Sequence, residues 1–514
     1  MPPGRSHAQE ASQRRRQQGR GLMSISSERI AALRDYVPEV RELTIDGKPV
    51  KPAGETWDVY NPATEEVIAT VSGATKEQVD EAIRAARTAF DTWSKMSGEE
   101  RSAAMHSLAD RLEARWEELL ASIVNEVGTP VSTAEFLQVK MGLGHLRWFA
   151  DAAKKDRTVH LGPYDVPVPT MSDVDHYPVG VVAAITGYNY PLNLAGFKYG
   201  AALAAGCTVV LLPSPRTPLT TLLLGEIIRE SDLPDGVINV VLGGADIGQY
   251  LSSHPGVDKV SFTGSDAVGA KIMEQAAANL NDVVLELGGK SANIVLPGCD
   301  VESFAVDMHM RWSRNSGQGC AALARLLVHE DLFDRFMKAG AEAFPKMKVG
   351  DPWDPETHIG PLIRPDHRDR VNGFITEALE QGGKALLQVE TPLPEKGWYV
   401  NPILLGNLPH SARAVQQEIF GPVAVVLTYK DVDEAIRLAN DTAYGLAANV
   451  WAPTLEEGRR VAEQLRAGTV WINGGGAMRP DAPFGGSGRS GIGRELGEWG
   501  IQEFLEPRHI QWAL

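Results

Sequence analysis

Cysteine is scarce: the 514 residues hold three, Cys207, Cys299 and Cys320. So low and odd a count excludes a disulfide framework, and the spacing matches no zinc-ligand pattern, so no metal is expected. Free thiols in a reducing compartment follow, which makes a soluble, cytoplasmic chain the expectation. Positive charge is also short, since 50 Lys and Arg face 66 Asp and Glu for a formal net charge of −16. Such a surface repels nucleic-acid phosphates and anionic membranes, and neither is an expected partner. Long apolar runs are missing as well. The longest, near residues 200–212, is too short to cross a bilayer and contains glycine. It reads as a buried helix end entering a strand. The opening segment lacks the apolar run of a signal peptide, and residues 1–22 carry Arg14, Arg15 and Arg16 among Gln, Ser and Gly. Residues 1–27 read as a basic, disordered tail, or as a start placed too early with Met23 the true first residue. No internal repeat is visible.

What remains is an ordinary globular composition, 43% hydrophobic and 23% charged, in a chain long enough for two or three structural units. From Lys76, the residues Val79, Ile83, Ala86, Phe90 and Trp93 recur at helical spacing. Ser97 and Glu100 form a capping-box pattern opening a second helix, whose stripe runs Met105, Leu108, Leu112, Trp116, Leu119 and Ile123. From about Val179 short apolar strands alternate with helices: Val181–Thr186, Pro191 to Ala205, Thr208–Leu212, a helix near Thr217–Glu230, Val237–Leu242 and Lys259–Thr263. Strands apolar on both faces and joined by helices predict a parallel sheet, which binds ligands at the carboxyl ends of its strands. Gly187, Gly243–Gly244 and Gly264 stand at such ends. A second α/β stretch runs from about Gly288 to Phe484. Between the first helices and the sheet, Thr158–Tyr177 reads as an extended hairpin.

Five short segments could carry chemistry. In Asn315-Ser-Gly-Gln-Gly-Cys320 a thiol lies among small residues that let a ligand approach, so Cys320 is either a nucleophile or an inert buried thiol. In Glu286-Leu-Gly-Gly-Lys-Ser291 a carboxylate ends an apolar strand and is placed to act as a base, or else pairs with Lys290. Asn189, in Thr186-Gly-Tyr-Asn-Tyr-Pro191, offers two amide hydrogens to an oxyanion, or is a turn residue before proline. The turns Gly243-Gly-Ala-Asp-Ile-Gly248 and Phe262-Thr-Gly-Ser265 lead into helix starts that favour phosphate, although neither has the usual dinucleotide spacing. Glu418-Ile-Phe420 could hold a ribose and flank a flat ring, or form a strand-entry turn with Phe420 in the core.

Taken together and in this order, these motifs closely resemble the aldehyde dehydrogenase superfamily over residues 40–514, as do Asn440–Gly445, Pro483–Gly486 and Ser490–Arg494. The resemblance implies an α/β fold: a Rossmann-like cofactor domain, a second α/β catalytic domain and a small β oligomerisation element. The corresponding division is 28–157 with 178–287 for cofactor, 288–488 for catalysis, and 158–177 with 489–514 for oligomerisation. It implies oxidation of an aldehyde to a carboxylic acid with NAD, NADP being the alternative, in a homodimer or homotetramer. Cys320 would be the nucleophile, Glu286 the base and Asn189 the oxyanion donor. Cofactor contacts would come from Ile185, Thr186, Gly187, Tyr188, Gly244, Gly248, Phe262, Gly264, Ser265, Leu287, Glu418 and Phe420. Trp148, Tyr190 and the segment Gly474–Ala482 would line the substrate pocket. Glu286 argues for water over coenzyme A as acyl acceptor. The family's ribose-binding lysine and glutamate positions hold Leu212 and Pro215 here, with Arg216 next, which weakens cofactor binding and leaves a non-catalytic member as the contrary reading.

Overall fold

A computed structural model describes residues 25–474, 476 and 478–514. The tail expectation for residues before 25 lies outside them. Its boundary at 27 falls inside structured chain, because Ser26 caps the helix Ser27–Leu33 by accepting from the Arg29 N–H. Two antiparallel pairs follow: β1 (Leu43–Ile45) with β2 (Lys48–Val50), and β3 (Thr56–Tyr60) with β4 (Val67–Ser72). Thr75 and Gln78 cap the helix Lys76–Trp93 reciprocally, and its apolar stripe is buried at Val79, Ile83, Ala86 and Trp93. Ser97 and Glu100 do the same for Gly98–Ala114. The stripe from Met105 to Ile123, which reads as one helix, belongs to two. Arg115 leaves helical geometry (φ −110°, ψ 24°), and its guanidinium is held by Glu118, Glu226 and Glu230 at 2.7–2.8 Å. The stripe stays in phase across the break, so periodicity does not report it.

The hairpin expected at Thr158–Tyr177 is β5 (Val159–Tyr164) with β6 (Thr170–Pro178). Then comes the strand–helix alternation: β7 (Val181–Ile185), β8 (Thr208–Leu212), β9 (Ile238–Val240), β10 (Lys259–Thr263) and β11 (Asp282–Glu286). β7, β8 and β10 are buried at every residue, as strands covered on both faces must be. A second series contains β12 (Ala292–Val295), β13 (Arg325–His329), β14 (Lys384–Gln388), β15 (Ile403–Gly406), β16 (Val423–Tyr429), β17 (Ala447–Trp451) and β18 (Thr469–Ile472). It forms one sheet in the order β14-β15-β16-β13-β12-β17-β18, parallel except for β14.

The chain ends with β19 (Gly491–Ile492) and β20 (Leu505–Ala513). The division at 489 differs from the structure here. β19 pairs with β11 and completes the first sheet, ordered β19-β11-β10-β7-β8-β9-β1-β2. A Cβ at Gly491 would lie 1.8 Å from the Leu285 carbonyl oxygen, so glycine alone allows this approach. A strand of two residues has no period to read. β20 pairs with β6 along nine residues, and β20-β6-β5 make a separate three-stranded sheet.

Candidate active site

The thiol is presented by a turn that ordinary residues avoid. Asn315 (φ 50°), Ser316 (φ 58°) and Gly317 (φ 73°) are successive left-handed residues. A Cβ at Gly317 would fall 2.0 Å from the Gly421 oxygen. Hydrogen bonds hold the turn on every side. The Thr129 hydroxyl donates to Asn315 Oδ1 (2.8 Å), Asn315 Nδ2 donates to the Asn189 carbonyl (3.0 Å), and the Ser316 hydroxyl donates to the Gly360 carbonyl (2.8 Å). Gln318 Oε1 accepts from the Tyr188 hydroxyl and the Ile363 N–H, both at 3.1 Å. Cys320 is partly buried beyond this turn, whereas Cys207 and Cys299 are buried outright. Asn189 is buried and gives one amide hydrogen to the Gln318 carbonyl at 2.9 Å, two residues from the thiol. Its other amide hydrogen has no partner among the described residues.

Glu286 ends β11 at 3% exposure, and neither carboxylate oxygen has a hydrogen-bond partner among the described residues. Gly485 makes room for it: a Cβ there would sit 2.5 Å from Glu286 Oε1. Burial, reinforced by the charge of Glu495, raises the Glu286 carboxyl well above its ordinary range, while Lys198 and Arg494 act the other way. Lys198 and Glu495 form a fully buried ion pair at 2.6 Å, and Lys198 also donates to the Ser261 hydroxyl. The Cys320 thiol is likewise pushed up by burial, with the Glu286 and Glu418 carboxylates adding to the effect. A protonated thiol, a proton-accepting carboxylate without partners and an amide donor thus share one neighbourhood.

The turns at 186–188, 243–244 and 264–265 follow β7, β9 and β10 of the first sheet. Ile185 and Phe262 are buried in their strands, and Leu287 donates its N–H to the Ser490 carbonyl. Gly244 and Ser265 cap the helices Ala245–Ser252 and Asp266–Ala277. Gly248, read as part of the glycine turn, lies inside the first of these helices, where a Cβ would touch only Leu212 at 3.7 Å. The buried hydroxyls of Thr186 and Thr263 have no hydrogen-bond partners among the described residues. Helix N-termini and orphan hydroxyls at strand ends suit a dinucleotide's phosphates and ribose. Glu418 Oε1 accepts from the Gly289 N–H at 2.9 Å, and burial raises its carboxyl to about 7. Phe420 (φ 61°) meets Tyr188 edge-on at 5.9 Å. Leu212 is buried at the end of β8. Arg216 pairs with Asp366 at 3.1 Å and stands 5.5 Å from the Tyr188 ring.

Cys320 and Tyr190 open on a cavity of about 870 Å³, its open mouth included. Gly476, Met478 and Phe484 line it, and Leu137 reaches it from a π-helical turn, Ala134–Lys140. Trp148 is not among the lining residues. It is partly buried and packs edge-on against Phe149 at 5.4 Å. Sequence reading missed Gln318, Arg311, Arg314 and the Lys198–Glu495 pair. Only Lys198 carried a signal: it is the one charge in the otherwise apolar helix Pro191–Ala205, and such a charge is buried only when paired.

With this geometry in place, similarity to known proteins is informative. Residues 50–510 match the model of the aldehyde dehydrogenase family. The DhaS chain of Bacillus subtilis (strain 168) is 36% identical over 496 residues, covering 95% of this chain and 99% of DhaS. Aldehyde dehydrogenase C (AldC) of Pseudomonas syringae, solved as a cysteine-to-alanine mutant with NAD+ and octanal, superposes with a TM-score of 0.88 at 36% identity. That match covers 92% of this chain and 98% of AldC. Betaine aldehyde dehydrogenase of Staphylococcus aureus, solved with NAD+, gives 0.89 at 37% identity over 95% of this chain and 97% of its own. Fold, thiol turn and sequence agree, and the chain belongs to the aldehyde dehydrogenase family.

Proposed function

We propose that the chain oxidises an aldehyde to a carboxylic acid with NAD, through a covalent bond to Cys320. The observation that carries this is a thiol held at a cavity by a left-handed turn, in the field of an unpartnered buried carboxylate. Glu286 takes the thiol proton, and the sulfur bonds to the carbonyl carbon. Asn189 and the Cys320 backbone N–H hold the resulting oxyanion. NAD, when bound, supplies the acceptor for the hydride that leaves this carbon. Glu286 passes that proton to solvent and takes another from water as the water oxygen attacks the thioester, and the C–S bond breaks to release the acid and regenerate Cys320.

The residues that would hold NAD are the main chain at 185–188, Gly244, Gly264 and Ser265 for phosphate, with Gly248, Phe262 and Leu287 beneath. Glu418 would hold the ribose and Phe420 the ring. Leu212 has no donor for the second ribose. The charge of Arg216 is already met by Asp366, which favours NAD over NADP.

Purified protein, NAD and an aldehyde panel should yield reduced cofactor and free acid, not a coenzyme A thioester. Cys320→Ala should reduce turnover below detection, and full activity in that variant overturns the mechanism. We further propose a cytoplasmic homo-oligomer built on β20-β6-β5. That sheet exposes Val159, Leu161, Tyr164, Tyr177, Ile510 and Trp512, an apolar surface suited to burial between copies. The three unpaired thiols fit a reducing compartment. Among the described residues no helix is long and apolar enough to cross a membrane. Trp512→Glu should lower the mass seen in sedimentation, and an unchanged assembly removes this interface.

A further inference from the structure

We infer that the aldehyde bound beside Cys320 carries a carboxylate at its far end, on an apolar, preferably aromatic, body. The inference rests on the proposed function and names the substrate class of that site. Most of the cavity wall is apolar, including Phe197, Trp471, Met478 and Phe484, and none of its lining residues is acidic. Two are cationic, Arg311 and Arg314. Both approach Gly476, where a Cβ would lie 2.6 Å from Arg311 Nη1 and 3.9 Å from Arg314 Nη1. Arg311 is engaged by Asp307 at 2.5 Å. Arg314 forms no ion pair or hydrogen bond among the described residues.

A cation facing an apolar cavity is costly unless an anion meets it, and a guanidinium presents a planar fork matched to a carboxylate. Burial, and then the charge of Arg311, disfavour the cationic form of Arg314, while Asp307 and Tyr190 act the other way, and no hydrogen bond among the described residues offsets the burial. Tyr190 is within the electrostatic reach of both the thiol and Arg314, so its ring connects the reacting end of the cavity to the cationic end. A rigid ring alongside Tyr190 would place an aldehyde at one end and a carboxylate at the other. The same charge opposes a cationic aldehyde.

The test compares 4-carboxybenzaldehyde with 4-methylbenzaldehyde, which is similar in shape but neutral, and with cationic betaine aldehyde. In the native enzyme kcat/KM should be at least tenfold higher for the carboxylated compound than for the neutral one, and lowest for the cation. Arg314→Met should reduce the carboxylated-to-neutral ratio at least tenfold, chiefly through KM, and Arg314→Lys should restore part of it. Reading a ratio cancels any general loss of activity. Equal or better use of the neutral aldehyde, or a ratio unchanged in Arg314→Met, overturns the inference while leaving aldehyde oxidation intact. Calorimetric binding of 4-carboxybenzaldehyde to Cys320→Ala, with and without Arg314→Met, tests the anion site apart from turnover. Arg314-dependent binding without any turnover by the native chain would sink the proposed function and keep the carboxylate site. No dependence on Arg314 would sink the site.

Discussion

The buried Lys198–Glu495 pair should set the pH at which the enzyme begins to work. The pair lies at 0% and 4% side-chain exposure beside Glu286, whose carboxyl is raised by burial and then by Glu495, and lowered by Lys198. As a base Glu286 must be ionised, so kcat/KM rises as pH climbs through its raised pKa. Glu495→Gln removes the repelling charge and leaves Lys198 unbalanced. Both changes favour ionised Glu286, and the acid limb moves to lower pH. Lys198→Met does the reverse and moves it to higher pH. A charge within about 4–6 Å shifts a carboxyl by roughly 1–3 pH units, about 1.4–4 kcal/mol. Each variant also breaks a buried pair, at a cost of about 3–5 kcal/mol in stability, so melting temperatures should fall in both. The assay is kcat/KM against pH at saturating NAD, on protein whose fold is verified by circular dichroism. Limbs that move in the same direction, or stay in place in both folded variants, refute the reasoning. Stability loss alone cannot produce opposite shifts.

Two further outcomes follow from other buried groups. Glu418, raised to about 7, should bind the cofactor ribose best as the carboxylate, so the KM for NAD should rise as pH falls below about 7. Glu418→Gln should raise that KM by about ten- to hundredfold and abolish its pH dependence, as expected for a hydrogen bond to a charged group worth about 1.5–3 kcal/mol. His309 is fully buried between Phe336 and Phe344 (4.5 and 5.5 Å), and burial lowers its pKa from 6.5 to about 4. The folded state therefore disfavours the proton. The stability present above pH 6.5 is lost as pH falls through about 4, amounting to about 3 kcal/mol. His309→Leu should flatten denaturant midpoints between pH 4 and 6.5, and an unchanged slope would exclude His309 as the cause.

Local order was legible wherever a period or a cap governed it. The boundaries of Pro191–Ala205, Thr208–Leu212 and Lys259–Thr263 follow from apolar runs ended by turns. The capping box at Ser97 follows from side-chain chemistry within one turn. Family motifs named Cys320, Glu286 and Asn189, because residue type and local spacing carry that information. The break at Arg115 was hidden because the buried stripe keeps its phase across it. Gly491–Ile492 was grouped with the tail because pairing with β11 depends on residues some 200 positions away.

Partnership across distance was decided by the tertiary structure alone. Lys198 and Glu495 are 297 residues apart and meet at 2.6 Å. Trp148 was expected in the pocket but is not among its lining residues, because the packing of its helix, rather than its composition, sets which side chains reach the cavity. Arg314 carries no distinguishing signal in the sequence and stands three residues after the helix Val301–Arg311. Only folding sets it at a cavity whose lining residues include no acid. Sequence encodes backbone preference and chemical type residue by residue, whereas charge balance and desolvation are sums over neighbours that exist once the chain has closed on itself.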